Sequence, residues 1–346
     1  MKIRPTYLCA LLLAACGLLS LASILIGTES IQVSAVIDAL RAGTPVSESP
    51  ILSIVFQQRL PRTLLALLAG GGLAIAGCAF QALLRNPLAE PYTLGVASAG
   101  ALGAWLATVA GQTMMIQFSI LGFSTIQLCA FAFSLGDIWI LYLMAARGTR
   151  MAPATLLLAG VTLGMLANAG ILFLRYFARP ESLINMDRWL MGSLHHIGYD
   201  AVIALTIAVI PCAVLLILQA ARYDQLAFGE EMARARGVNI RRLQLVTLFT
   251  GSFLTAIIAS KVGPIGFVGL LVPHMVRAVV GARHRALMPL SVLAGSAFLL
   301  ACDILARKLL TGETPIGIIT ALLGGPFFLY LLLRRRFTSW EQGGLE

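Results

Sequence analysis

Apolar residues run through this chain in long unbroken stretches, separated by short polar joints. The stretches cover about residues 6–27, 63–84, 93–110, 118–146, 154–177, 201–221, 243–260, 267–281, 287–306 and 316–333. A bilayer core takes about 20 helical residues per crossing, so the pattern predicts ten transmembrane helices in an all-α polytopic membrane protein. The ten-residue alternation of an outer-membrane barrel is absent, and helices are then the way to satisfy the backbone in lipid. The third and eighth stretches are short and glycine-rich, the mark of tilted or broken helices buried among others. Lys2 and Arg4 followed by Leu13-Ala14-Ala15-Cys16 imitate a cleaved lipoprotein signal. The apolar run continues to Gly27, however, so a retained first helix is expected.

Composition agrees: of 346 residues 59% are hydrophobic and 12% charged, against about 25% charged in a soluble domain. Neither a sizeable soluble domain nor a disordered chain fits these figures. The net charge of +10 comes from Lys and Arg scattered singly, without the basic stripe or stacking platform of a nucleic-acid binder. Positive-inside topology explains it better. With the N-terminus inside, sixteen of the 25 basic residues fall on the cytoplasmic side, Arg150 and the Arg334-Arg335-Arg336 cluster among them. Both termini are then cytoplasmic, and Glu181 and Glu313 lie outside. Ten spans divided after the fifth give two inverted five-helix halves.

The longest polar insertion, residues 222–242, follows the sixth span on the cytoplasmic side. It favours a short helix from Glu230 to Arg236, stopped by Gly237 in a left-handed cap. Glu230 and Glu231 near its start and arginines near its end suit the helix dipole. Such a segment is either a solvated loop helix or a docking element for a cytoplasmic partner.

Candidate chemistry is sparse. Cys9, Cys16, Cys78, Cys129, Cys212 and Cys302 sit inside apolar runs without a CxxC pair. The histidines form no i, i+4 pair, so no metal site is expected. A GxxxxGK[ST] loop, a Gly-x-Ser-x-Gly elbow and a Ser-His-Asp or Cys-His arrangement are all missing. The chain therefore offers no enzymatic constellation and cannot cradle ATP phosphates by itself, so any active transport would draw its energy from a partner.

Several motifs occur together in order. They are Arg59-Leu60-Pro61-Arg62, Gln81 with Arg85-Asn86-Pro87-Leu88-Ala89-Glu90-Pro91, Gly229-Glu230 to Gly237-Val238, and Gly266-Phe267-Val268-Gly269-Leu270 with Pro273-His274 and Arg277. Asp303 to Arg307, and Pro315-Ile316-Gly317 to Gly324-Gly325-Pro326-Phe327-Phe328, complete the set. In these the chain, from about residue 55 to 335, resembles the FecCD family, the permease subunits of type II ABC importers for iron-siderophores, haem and cobalamin. The resemblance implies a bacterial inner-membrane permease paired with a second copy or a paralogue. It also implies two cytoplasmic ATPase subunits, which use ATP and Mg, and a periplasmic substrate-binding protein.

Carried over residue by residue, the resemblance makes 222–242 a coupling segment in which Gly229, Glu230, Ala233, Arg236 and Gly237 face the ATPase. It places Asn86 and Leu88 near a cytoplasmic gate, together with the turn from Thr149 to Pro153. It gives Arg59, Arg62 and Arg307 the acidic residues of the binding protein, as a basic outer rim whose guanidinium forks suit carboxylates. Without the resemblance, those arginines read as snorkelling at the interface, and the two prolines of the 86–91 turn read as chain reversal with a local Arg85–Glu90 ion pair. Pro264, Gly266, Gly269 and Pro273 interrupt the eighth span, to line a path or to kink it for packing.

Asp137 fits none of this. A carboxylate near mid-span costs about 2.5 to 3.5 kcal/mol on insertion scales. It could face a polar cavity, pair with Arg175 or be held protonated. The leading function is therefore an ATP-driven importer of a metal chelate, with ferric siderophores first, haem and cobalamin next and oxyanions such as molybdate last. The rival is a proton-coupled secondary transporter built on Asp137. A membrane-embedded enzyme finds no catalytic constellation.

Overall fold

A computed structural model describes residues 4–27, 33–43, 45–46, 48–114, 119–120, 123–147, 153–308 and 314–333. The helices are α1 (Pro5–Leu25), α2 (Val33–Arg41), α3 (Pro50–Ser53), α4 (Leu60–Leu84), α5 (Val96–Met114), α6 (Thr125–Arg147) and α7 (Pro153–Phe177). They continue with α8 (Pro180–Leu190), α9 (Asp200–Leu218), α10 (Ala220–Leu226), α11 (Glu230–Ala235), α12 (Ile240–Val262), α13 (Val268–Val280), α14 (His284–Lys308) and α15 (Ile316–Leu333). A two-stranded antiparallel hairpin, β1 (Ser119–Ile120) and β2 (Phe123–Ser124), leads into α6.

The bundle is built round α4. A π-helical turn, Ile54–Arg59, joins α3 to α4, so that Pro50–Leu84 is one 35-residue rod. Nearly every side chain of α4 is buried, and α14, α12, α13 and α9 surround it. Glycine makes this closeness possible. A Cβ on Gly70 would lie 2.3 Å from the Gly295 carbonyl oxygen, and one on Gly295 would lie 2.4 Å from the Gly70 oxygen. One on Gly77 would lie 1.9 Å from the Gly269 oxygen. Helices can touch backbone to backbone only where side chains are this small.

Among the described residues, seven stretches are long and apolar enough to cross a membrane, and 96–111, 268–280 and 316–330 are shorter apolar helices. The 13 residues of α13 rise only about 20 Å at about 1.5 Å each, short of a bilayer core of about 30 Å. The interruptions beside α5 and α13 meet: Tyr92, in the turn before α5, accepts the Ile265 amide through its hydroxyl. Gln81 donates to the Gly269 and Leu270 carbonyls at 3.2 Å each. Large apolar side chains of α1, α7 and α15 face outward, Leu158, Tyr176 and Leu333 among them.

Two readings of the chain change. The helix expected from residue 118 starts at Thr125, because residues 119–124 contribute the hairpin. The joints 28–62 and 178–200, left without elements by hydropathy, contain α2, α3, the π-helical turn and α8. These are short or mixed in polarity, so they leave no apolar run.

Candidate functional site

The polar insertion 222–242, expected to be a coupling segment, folds as α10, α11 and their joints at one end of the bundle. Gly229 (φ +103°) precedes α11, and Gly237 (φ +82°) follows it. The Gly237 amide donates to the Arg234 carbonyl at 2.9 Å and the Val238 amide to that of Ala233 at 3.0 Å, the paired bonds of a Schellman stop that needs a residue with positive φ. Glu230 pairs with Arg234 at 3.0 Å, one turn on.

Ala233 is fully buried and packs the helix onto the bundle, so it lies beneath the exposed face rather than on it. That face is formed by Phe228 (68% exposed), Met232 (48%) and Arg236, whose guanidinium lies 5.4 Å from the centre of the Phe228 ring. Phe228 and Met232 went unnoticed in the sequence. Pattern alone did not separate them from the other large apolar residues of the insertion, Tyr223, Leu226, Val238 and Ile240, which are buried.

At the same end lies the turn after α4. Arg85 ends α4 in a left-handed conformation (φ +48°), and the Leu88 amide donates to Asn86 Oδ1 at 2.9 Å. Leu88 is exposed and Asn86 half-buried. The expected Arg85–Glu90 pair does not form: Arg85 is exposed, whereas Glu90 is buried as the cap before a 3-10 turn (Pro91–Leu94), its amide bonded to Thr93 Oγ1 at 3.2 Å. Burial pushes the Glu90 carboxyl up to about 7. Residues 149–152, the rest of the expected gate, lie outside the described residues, as do Arg150, Glu313 and Arg334 to Arg336.

The three arginines gather at the opposite end but form no exposed rim; each is less than 10% exposed. Arg59 Nη1 donates to the Ile24 and Leu25 carbonyls at 2.9 and 3.0 Å. Arg307 Nη1 donates to those of Ser23 and Ile26, at 3.0 Å each. The final carbonyls of a helix lack partners within it and carry its negative pole, and these guanidiniums satisfy them for α1. Arg62 Nε donates to Asp303 Oδ1 at 2.9 Å, and Arg307 Nη2 lies 2.8 Å from Asp303 Oδ2 as a charge contact rather than an aligned hydrogen bond. Buried cations are explained by a carboxylate and a helix end that spacing alone could not reveal. Sequence reasoning noted Asp303 without giving it this role.

Beside the cluster a cavity of about 620 Å³ is lined by Arg62, Arg188, Ser193, Thr314 and apolar Met191, Leu194, Pro315 and Ile316. Arg188 is exposed. Asp137 is buried in α6 against Gly95, and its Oδ2 has no hydrogen-bond partner. It does not pair with Arg175, whose guanidinium makes a two-pronged bond to Asp187 of α8. Among the described residues no three His, Cys, Asp or Glu side chains cluster as metal ligands.

Residues 12–334 match the family model described as the FecCD transport family. The chain is 41% identical over 297 residues to the cobalamin import system permease protein BtuC of Halobacterium salinarum, covering 86% of this chain and 77% of that one. It is 38% identical to the hemin transport system permease protein HmuU of Yersinia pestis (80% and 82% covered). It is 34% identical to the molybdate import system permease protein MolB of Haemophilus influenzae (81% of each). A solved inward-facing structure described as a metal-chelate type ABC transporter superposes with a TM-score of 0.80 at 30% identity, over 95% of this chain and 99% of that one.

Proposed function

The chain belongs to the FecCD transport family and is a multi-pass membrane permease subunit of an ABC importer, not an enzyme; from that premise we propose that it carries a metal chelate from periplasm to cytoplasm. A ferric siderophore is the first cargo, haem or cobalamin the next. The path lies between this subunit and a second copy or paralogue, in the bacterial inner membrane, with both termini cytoplasmic. ATP and Mg are used by two ATPase subunits, and a periplasmic binding protein delivers the cargo.

The observation that carries the energy coupling is the α11 projection. An exposed Phe228–Met232 face beside a stacked Arg236 is the kind of apolar anchor with a cationic edge that interface centres use. Glu230, Gly229 and Gly237 shape it, and Ala233 seats it. Asn86 and Leu88 lie at the same end and serve the cytoplasmic gate. The binding protein docks at the opposite end, where exposed Arg188 borders the cavity. There Arg59, Arg62 and Arg307 support docking from beneath, by holding α1, α4 and α14 in place.

The chain would be co-expressed with the ATPase and binding protein of neighbouring reading frames and reconstituted into liposomes. ATP-dependent uptake of a ferric siderophore, haem or cobalamin is expected, and Phe228→Asp with Met232→Asp should release the ATPase while the permease stays assembled. A double variant that retains the ATPase and transports normally would remove the docking assignment. The second reading, proton coupling, is kept by the buried Asp137 carboxylate oxygen. Uptake driven by a pH gradient without ATP, and lost in Asp137→Asn, would favour it.

A further inference from the structure

The amide that opens α14 is satisfied from a distance. Asp224 of α10 accepts the His284 backbone N–H at 2.7 Å, and the same Oδ1 lies 2.8 Å from His284 Nδ1. The first amides of a helix have no partner within it and must find one outside. Here the preceding residue is Arg283, which has no side-chain acceptor, and the cap comes from 60 positions upstream. His284 is 2% exposed, and its ring lies 5.8 Å from that of Tyr223, whose hydroxyl is 2.7 Å from Thr247 Oγ1 of α12. Burial pushes the Asp224 carboxyl upward, but the hydrogen bonds from the His284 ring and amide, with the charges of His284 and Arg285, outweigh it and hold the group below the usual carboxylate range. Asp224 also sits one short turn from α11, since the Gly229 amide bonds back to the Leu226 carbonyl at 3.0 Å.

From His284, α14 runs 25 residues to the opposite end, about 37 Å at about 1.5 Å per residue. Along the way it interlocks with α4 at Gly70 and Gly295, and Ser296 Oγ donates to the Leu67 carbonyl at 2.7 Å. Pro289 removes one bond near its start, but Leu287, Met288 and Leu290 on either side are buried. At the far end Asp303 takes Arg62 of α4, and Arg307 takes the end of α1. Backbone-to-backbone contact of this kind leaves no slack for α14 to slide on α4, because packed interiors shift between discrete arrangements rather than deform smoothly.

We propose that the Asp224–His284 joint and α14 form a rigid strut, by which movement of the α10–α11 projection reaches the arginine cluster at the other end of the bundle. Asp224 and His284 are positioning residues in this scheme: they touch neither cargo nor nucleotide. The proposal rests on the reading of α11 as the ATPase-docking segment.

The test uses the chain with its ATPase in nanodiscs, native cysteines replaced and a bimane fluorophore on Leu305→Cys, between Asp303 and Arg307. ATP with vanadate should shift the emission. Asp224→Ala should still co-purify the ATPase, yet lose most of the emission shift. Asp224→Asn retains an acceptor oxygen and should retain most of the shift, a rescue that a purely structural loss would not show. If Asp224→Ala fails to assemble, His284→Phe keeps the ring packing and the backbone N–H bond to Asp224 but deletes the ring nitrogens, and should lose part of the shift. A parental shift in these variants, or no shift in the parent with ATPase bound, overturns the strut. A parent that binds no ATPase overturns the docking reading instead.

Discussion

Replacing Asp303 with Ala would test why the three arginines are where they are. Asp303 is fully buried between two guanidiniums, at 2.9 Å from Arg62 and 2.8 Å from Arg307. At an effective dielectric near 20 each contact contributes about 6 kcal/mol of gross attraction, most of it offset by desolvation. Removing the acid strands two buried cations, and breaking a buried pair in this way costs about 3 to 5 kcal/mol. At about 2.1 cal/mol/K of unfolding entropy per residue, a chain of 346 residues loses about 1.4 °C per kcal/mol, so a fall of about 4 to 7 °C is expected. The assay is the apparent melting temperature of the purified protein in detergent, followed by tryptophan fluorescence. Asp303→Leu with Arg62→Met should recover much of the loss, since Arg307 keeps its bonds to the α1 carbonyls and an apolar pair replaces an ionic one. A fall below about 2 °C for Asp303→Ala would mean that the arginines reach water or headgroups once released. That result would restore the exposed basic rim.

Four further substitutions test other parts of the structure. Gly77→Ala would drive a methyl group to 1.9 Å from the Gly269 carbonyl oxygen and should destabilise by about 1 to 3 kcal/mol as α4 and α13 part. Gly136→Ala, with nothing within 4 Å, should be neutral or gain about 1 kcal/mol of helix propensity; equal melting points for the two would disprove the contact. Glu90 titrates near 7 when folded, against 4.5 unperturbed, so the native state holds its proton longer than the unfolded chain. Its contribution is full below about 4.5 and lost as pH rises through 7, by about 3 kcal/mol. Glu90→Gln should flatten that slope in urea unfolding, and an unaltered pH dependence would show the carboxyl to be solvated. Gly237→Val places a β-branched residue at φ +82° and should loosen ATPase binding in a pull-down while leaving the melting point of the spans nearly unchanged.

Hydropathy alone located long apolar helices, because burying a helix in lipid demands an apolar run of fixed length, and among the described residues seven stretches are long enough to cross. Thus α7 and α14 begin and end within a few residues of the predicted stretches. Gly237 was legible for a similar reason: a positive-φ stop leaves a glycine behind a short polar helix. What the chain could not disclose was anything set by residues distant in sequence. Asp303 lies 241 positions from Arg62, and α1 ends 34 residues before Arg59. Three outward-reading arginines therefore became a buried clasp only once those helices were packed side by side. Ala233 likewise turned inward and left Phe228 and Met232 as the exposed face, since which side of so short a helix is covered depends on its seat and not on its own pattern. The joint at Asp224 and His284 belongs to the same class: a cap supplied from another helix has no local signature, and tertiary packing alone decides it.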